Sequence, residues 1–331
     1  MEIKIDLALL ASEKIMIDQN KLTVVMYHYV RPIRESKFPR IKGLEFKLFQ
    51  RQLDYLSQKY HFITAEELID YSLGGSNLPN NSCYLTFDDG FKDHIKYVMP
   101  ELLLRGIQGS FFPPSMAIEN QELLDVHAIH FILACCKNIN NLFIDLNNAC
   151  LDIGLTKLEL DSFYRTYGKA YRYRNNSYEN AKTVYVKRML QFILPQKVRS
   201  RIVSHLFKKY VKKNKQQFAN ELYMSISDIK NLIRNGMYVG SHGCRHIWLG
   251  QEKKSVQSED IKESLDFLKK VGARTENWIM CYPYGSYNND TISILRKKKC
   301  LVGLTTKVGI SNLNQSKILE LNRYDTNHFP Q

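Results

Sequence analysis

The sequence predicts an α/β fold built on a parallel sheet, open or closed into a barrel, with a basic helical insertion. Three observations predict it. Short apolar, β-branched runs alternate with helix-like patterns. Four of these runs end in polar residues able to do chemistry, as strand C-termini do in parallel β/α folds. The middle of the chain lacks strand signals and carries nearly all the net charge.

The first run, Leu22–Tyr27, ends before His28, and helical patterns follow at Phe46–Leu56 and Ala65–Tyr71. The second, Cys83–Phe87, ends before Asp88 and Asp89 and leads into a helical pattern at Lys92–Arg105. The third, Met237–Gly240, follows a helical pattern at Ile226–Arg234 and ends before Ser241-His242. The fourth, Trp278–Cys281, ends before Tyr282-Pro283-Tyr284-Gly285, between helical patterns at Asp260–Val271 and Asp290–Lys299. In the middle, Gln121–Lys137 reads as a helix, and helical stretches rich in Tyr, Lys and Arg follow it. Setting this insertion aside leaves ~230 residues, close to the usual size of a β/α barrel. The expected organisation is an N-terminal extension over 1–20, a barrel over 21–119 and 221–331, and a basic helical insertion over 120–220.

Composition narrows the class. With 44% hydrophobic and 24% charged residues, the chain is an ordinary globular protein and not a disordered or collagen-like one. No apolar run approaches the ~20 residues that span a bilayer. The apolar patch Leu7–Ala11 falls short of the ~7–15 residues of a secretory signal, so a cytoplasmic location is expected. Seven cysteines without framework spacing fit reduced thiols. Of the net charge of +14, residues 161–215 hold +13, from fifteen basic and two acidic side chains. Such a segment attracts phosphorylated or nucleotide-linked substrates, anionic lipid or nucleic acid; the plain alternative is a solvated helical face.

The chemistry sits at the four strand ends. Asp88 and Asp89 point in different directions, so one carboxylate can bind a metal while the other takes a proton from water, although Asp-Gly is also a turn signal. His242 and His246, four residues apart, can aim two imidazoles at one ion. With an acidic strand end they make a three-ligand site with open positions, a set that suits zinc and also non-haem iron. Cys244 between them reads as a bystander, Asp89 being the better third ligand. The Pro283 and Gly285 loop can present a backbone N–H to an oxyanion. His28, alone at the first strand end, is a structural histidine or a general acid.

Thr86-Phe87-Asp88-Asp89-Gly90, Ser241-His242-Gly243-Cys244-Arg245-His246 and Tyr282-Pro283-Tyr284-Gly285 together resemble the polysaccharide deacetylase family, the NodB-homology or carbohydrate esterase family 4 group. The resemblance covers roughly residues 22–115 and 225–305 and leaves out the insertion. It implies a distorted (β/α)7 barrel and a metal-dependent hydrolase that removes N-acetyl groups from amino sugars. It makes Asp88 the catalytic base, Asp89, His242 and His246 the metal ligands, and the backbone N–H of Tyr284 the oxyanion donor. The implied metal is zinc, with iron, nickel or cobalt as alternatives. Four departures stand out. Gly243 replaces the usual Ser or Thr. Cys281 replaces the arginine that orients the base, so another group must orient Asp88. A later Asp-containing motif is not visible, and the C-terminal Leu-x-His acid is missing. Met26-Tyr27-His28-Tyr29-Val30 looks similar to the acid segment of a circularly permuted subgroup, the bacterial poly-N-acetylglucosamine deacetylases. His28 is therefore the expected acid and His328 its alternate.

The expected activity is N-deacetylation of an amino sugar in surface polysaccharide or glycoconjugate biosynthesis. The expected substrate is nucleotide- or lipid-linked, and the enzyme touches the anionic inner membrane face peripherally. Two alternatives stay open: hydrolysis of another C–N amide on the same fold, and a non-catalytic scaffold binding a partner or nucleic acid through the insertion, nucleic acid being disfavoured.

Overall fold

A computed structural model describes residues 21–170, 179–313 and 315–330. The expected extension over 1–20 and two of the basic residues, Arg172 and Arg174, lie outside them.

The parallel strands follow one another in a circuit. Lys21–Tyr27 pairs with Ser82–Asp88 in a six-residue register, from Leu22 opposite Ser82 to Tyr27 opposite Phe87. Ser82–Asp88 pairs with Ser110–Phe112, which pairs with Tyr238–Val239. A parallel bridge from Ser241 to Met280 leads to Trp278–Cys281, which pairs with Cys300–Leu304. Leu304 bridges to Leu321, and three residues on, Tyr324–Asp325 runs parallel to Val25 and Met26 of the first strand. Two of these links are single bridges, so the circuit is uneven.

Burial explains why the long strands read as continuous apolar runs. Lys21–Tyr27 is buried from its second residue on and Ser82–Asp88 throughout, as strands covered on both faces must be. Side chains alternate between two cores. Leu22, Val24, Tyr84, Phe112, Tyr238, Ile279, Cys281, Val302, Leu304 and Leu321, from successive strands, meet in one cluster inside the ring. Val25, Tyr27, Cys83, Leu85, Phe87 and Phe111 face the other way, onto the helices.

Helix ends match their sequence signals where caps exist. Ala65–Ser72 begins at a Thr64–Glu67 capping box and Ile226–Arg234 at a Ser225–Asp228 box. The helix expected from Asp260 starts at Lys254, because its polar first turns show no apolar stripe. The segment expected as one helix over Lys92–Arg105 is a π-helical turn, His94–Val98, followed by an α-helix, Met99–Leu104. Such turns are frequent at functional sites, and His94 in this one bonds the His28 carbonyl.

The insertion packs onto the mouth of the ring. Helix Asp125–Cys135 lies against Gln196–Tyr210, and both share a hydrophobic core with Phe87, Phe91 and Phe111 of the ring. Phe131 touches Phe38 and Phe218 edge-on, with centroids 4.9 and 4.7 Å apart.

Candidate active site

Asp88 is the last residue of its strand, on the side that faces into the ring. Its carboxylate is buried and accepts a two-pronged bond from Arg323, Nη1 to Oδ1 at 3.0 Å and Nη2 to Oδ2 at 2.8 Å. Arg323 is fully buried; it also donates to Thr86 Oγ1 and, through Nε, to the Thr305 carbonyl. Burial alone would raise the Asp88 carboxyl, but the guanidinium outweighs it and holds it at about 2. Arg323 is therefore the group that orients Asp88 where Cys281 stands in the third motif. A lone arginine in Leu321-Asn322-Arg323-Tyr324 carries no periodic signal of its own. The one clue was the arginine missing from its usual place.

Asp89 continues the strand in a left-handed conformation, φ 73°. His246 (φ 52°) and Tyr284 (φ 58°) share that sparsely populated region, and such strain collects at functional sites. Asp89 Oδ1 is buried with no hydrogen-bond partner. His242 Nε2 lies 3.6 Å from it and His246 Nε2 3.3 Å. One donor atom from each of the three residues lies within 4.8 Å of the others. His242 donates its Nδ1 proton to the Cys281 carbonyl at 2.7 Å, which turns a lone pair at Nε2 toward Asp89. Metal-ligating histidines are held this way. A lone pair facing a carboxylate needs a cation or a proton between them, so the residues fit a divalent ion. Burial disfavours the imidazolium at both histidines. At His246 it prevails and holds the ring at about 4. At His242 the neighbouring Cys281 and Asp89 raise it well above its ordinary value. Burial raises Asp89, but the imidazoles around it, His127 foremost, bring it well below the usual carboxylate range.

The loop carrying the histidines is tied down by Asp260, which accepts the N–H groups of Cys244 at 2.9 Å and Arg245 at 3.0 Å. This contact explains Gly243. Its φ is +69°, and a Cβ there would sit 2.6 Å from Asp260 Oδ2. Cys244 groups with Asp260 and Glu263, apart from the Asp89 triad.

His28 Nε2 lies 3.8 Å from Asp88 Oδ2, with its side chain 39% exposed. Its carbonyl accepts a 2.9 Å bond from Nε2 of the buried His94, the first residue of the π-turn. His328 is exposed and bonds the Asp325 carbonyl; its ring packs on Tyr324. The Tyr284 ring packs edge-on against His246 at 4.6 Å and stacks on Trp248 at 4.3 Å, within 2° of parallel. A cleft of about 550 Å³ opens beside them. One wall carries His246, Trp248 and Tyr284, and the other carries Asp125, Arg199 and Lys215 of the insertion.

The structure thus brings Asp88, Asp89, His242, His246 and His28 together and sets the Tyr284 loop beside them. Sequence reasoning missed Arg323, His94 and His127. For His127 a signal existed: a histidine amid the apolar residues of Val126-His127-Ala128-Ile129.

Comparison with known proteins agrees with the motifs. Residues 177–302 match the family model described as polysaccharide deacetylase, a span that includes the second and third motifs. No curated protein matches the chain in sequence. Among solved structures, the Streptococcus pyogenes deacetylase PplD in complex with acetate is 17% identical, with a TM-score of 0.55 over 92% of each chain. IcaB from Ammonifex degensii is 19% identical, with a TM-score of 0.50 over 87% of this chain and 84% of that one. A de-N-acetylase from Aggregatibacter actinomycetemcomitans is 14% identical, with a TM-score of 0.53 over 92% and 95%. At these identities the structures are likenesses of fold. The family that the motifs resemble is the family whose model matches.

Proposed function

We propose that this chain, matched by the polysaccharide deacetylase family model, is a divalent-metal-dependent N-deacetylase of an acetylated amino sugar. The observation that carries the reading is Asp88, buried and held ionised by Arg323, directly beside the Asp89, His242 and His246 triad. A divalent ion held by that triad, zinc first and iron, nickel or cobalt next, would make water more acidic and polarise the acetyl carbonyl.

The chain's own groups do the rest. Asp88 takes a proton from the attacking water, and Arg323 keeps its carboxylate aimed and charged. The Tyr284 backbone N–H donates to the oxygen on which negative charge develops. His28, near Asp88 and open to solvent, protonates the departing amine as the C–N bond breaks. Water is consumed, and acetate and a free amine leave. The cleft between ring and insertion lies within the usual 300–1,000 Å³ range of small-ligand sites, which suits a short sugar unit. The basic insertion on its far wall supports a phosphate-bearing substrate, nucleotide- or lipid-linked, in surface-glycan assembly, and a cytoplasmic enzyme that meets the inner membrane face peripherally. No helix among the described residues is long and apolar enough to cross a membrane.

The test is acetate release by metal-loaded protein from free, nucleotide-linked, lipid-linked and polymeric N-acetyl sugars, with Asp88→Asn as control. Release that disappears in the variant supports the reading. No release from any sugar, with metal bound, moves the weight to another C–N amide.

A further inference from the structure

We propose that His127, supplied by the insertion, is a positioning residue that fixes the metal-binding carboxylate. The idea rests on the metal site described above. It concerns a residue outside the three motifs and outside the ring.

The two oxygens of Asp89 face different groups. Oδ1 faces His242 and His246; Oδ2 lies 3.1 Å from His127 Nε2. A carboxylate tied at neither oxygen can rotate and exchange them, so a donor on Oδ2 is what keeps Oδ1 turned to the ion. His127 is fully buried, and its Nε2, 3.1 Å from Oδ2, makes no aligned hydrogen bond to any described residue. Buried N–H groups need an acceptor, and Oδ2 is the one in reach. The opposite ring nitrogen selects the tautomer. His127 Nδ1 is 2.5 Å from the Tyr223 hydroxyl, and that hydroxyl accepts the Leu124 N–H at 3.2 Å. When Tyr223 donates to Nδ1, the ring proton sits on Nε2, facing Asp89. A chain of polar contacts thus runs from Leu124 through Tyr223 and His127 to Asp89 Oδ2. His127 does not join the group whose donor atoms come within 4.8 Å of one another, so it acts through Asp89 and not on the ion. His127 sits on helix Asp125–Cys135, whose first residues also line the cleft. The insertion is therefore wired to the metal site as well as walling it.

The experiment measures Zn²⁺ affinity by competition with a chromophoric chelator, and the visible absorption of the Co²⁺-loaded protein, for the parent chain, His127→Leu, His127→Gln and Tyr223→Phe. Removing an outer partner of a metal ligand typically costs 10–100-fold in affinity. His127→Leu should lose roughly that much, and His127→Gln, which keeps a donor near the Nε2 position, should recover most of it with the parent Co²⁺ spectrum. Parent-like affinity in His127→Leu overturns the proposal. Lost affinity together with an altered spectrum in His127→Gln overturns it as well, since His127 would then ligate the ion itself. If His127→Leu does not fold by circular dichroism, Tyr223→Phe decides: weakened binding supports the proposal and parent-like binding overturns it. No substrate enters these measurements. Metal binding without acetate release would therefore sink only the deacetylase reading, while a parent that binds no metal would sink both.

Discussion

The mouth of the ring and the outer face of the insertion both carry many charges, but they handle them in opposite ways. At the mouth the charges are few and buried, and each is met by a fixed partner: Asp88 by Arg323, Asp89 by three imidazoles. On the insertion they are numerous and solvated, and pairs such as Lys209 with Asp145 or Lys213 with Glu221 reach across open surface. Breaking a buried pair strands a charge in a medium that cannot solvate it, at a cost of about 3–5 kcal/mol. An exposed pair contributes about 0.2–1 kcal/mol. The difference teaches that net charge, the loudest electrostatic feature of the sequence, is a poor guide to where charge matters for catalysis.

The sharpest way to break this comparison is Arg323→Met. It should lower the unfolding free energy by about 3–5 kcal/mol in denaturant titration and abolish the activity. Arg323→Lys should not restore the parent, because an ammonium cannot reproduce the two-pronged contact. A loss under 1 kcal/mol would put the buried pair in the same class as the surface ones. Next in size, His28→Ala should slow acetate release roughly 10²–10⁴-fold with metal still bound, while His328→Ala stays within twofold. The reverse outcome would move the acid to the C-terminus. Metal removal comes third: at an ion concentration 100 times Kd, binding adds about 2.7 kcal/mol to stability, so a chelator should lower Tm visibly. An unshifted Tm would count against the triad as a metal site.

The pH dependence is smaller and has a definite sign. The Asp88 carboxyl lies below its unfolded value, so the pair's stability is complete above about pH 4 and is lost as pH falls toward 2. Asp88→Asn should flatten that acid limb. The smallest effect belongs to the insertion: Lys209→Ala should change stability by less than about 1 kcal/mol. A larger loss would mean that the exposed face is organised more tightly than its geometry suggests.

Legibility in the sequence followed the same divide. The strands that end in Asp88 and Cys281 could be read because burial on both faces leaves an unbroken apolar run. Asp89, His242 and His246 could be read because their residue types and spacing are those that a metal site would need. The strand Ser110–Phe112 and the stave Tyr324–Asp325 were not legible: three and two residues are too short for a period to show. Arg323 was illegible for a different reason. Its partner lies 235 positions away, and nothing local marks a buried arginine among the many solvated ones.

That separation has a consequence in time. Domains are synthesised at ~5–20 residues per second, so roughly 10–50 s pass between the emergence of Asp88 and that of Arg323. Throughout that interval the strand Ser82–Asp88 can pair with its neighbours, but its terminal carboxylate has nothing to bury itself against. The ring cannot close over Asp88 at low cost until the chain has delivered its last stave. Asp88 thus gains its buried partner only once Arg323 has been delivered, and a chain truncated before that point carries the first motif without the pairing.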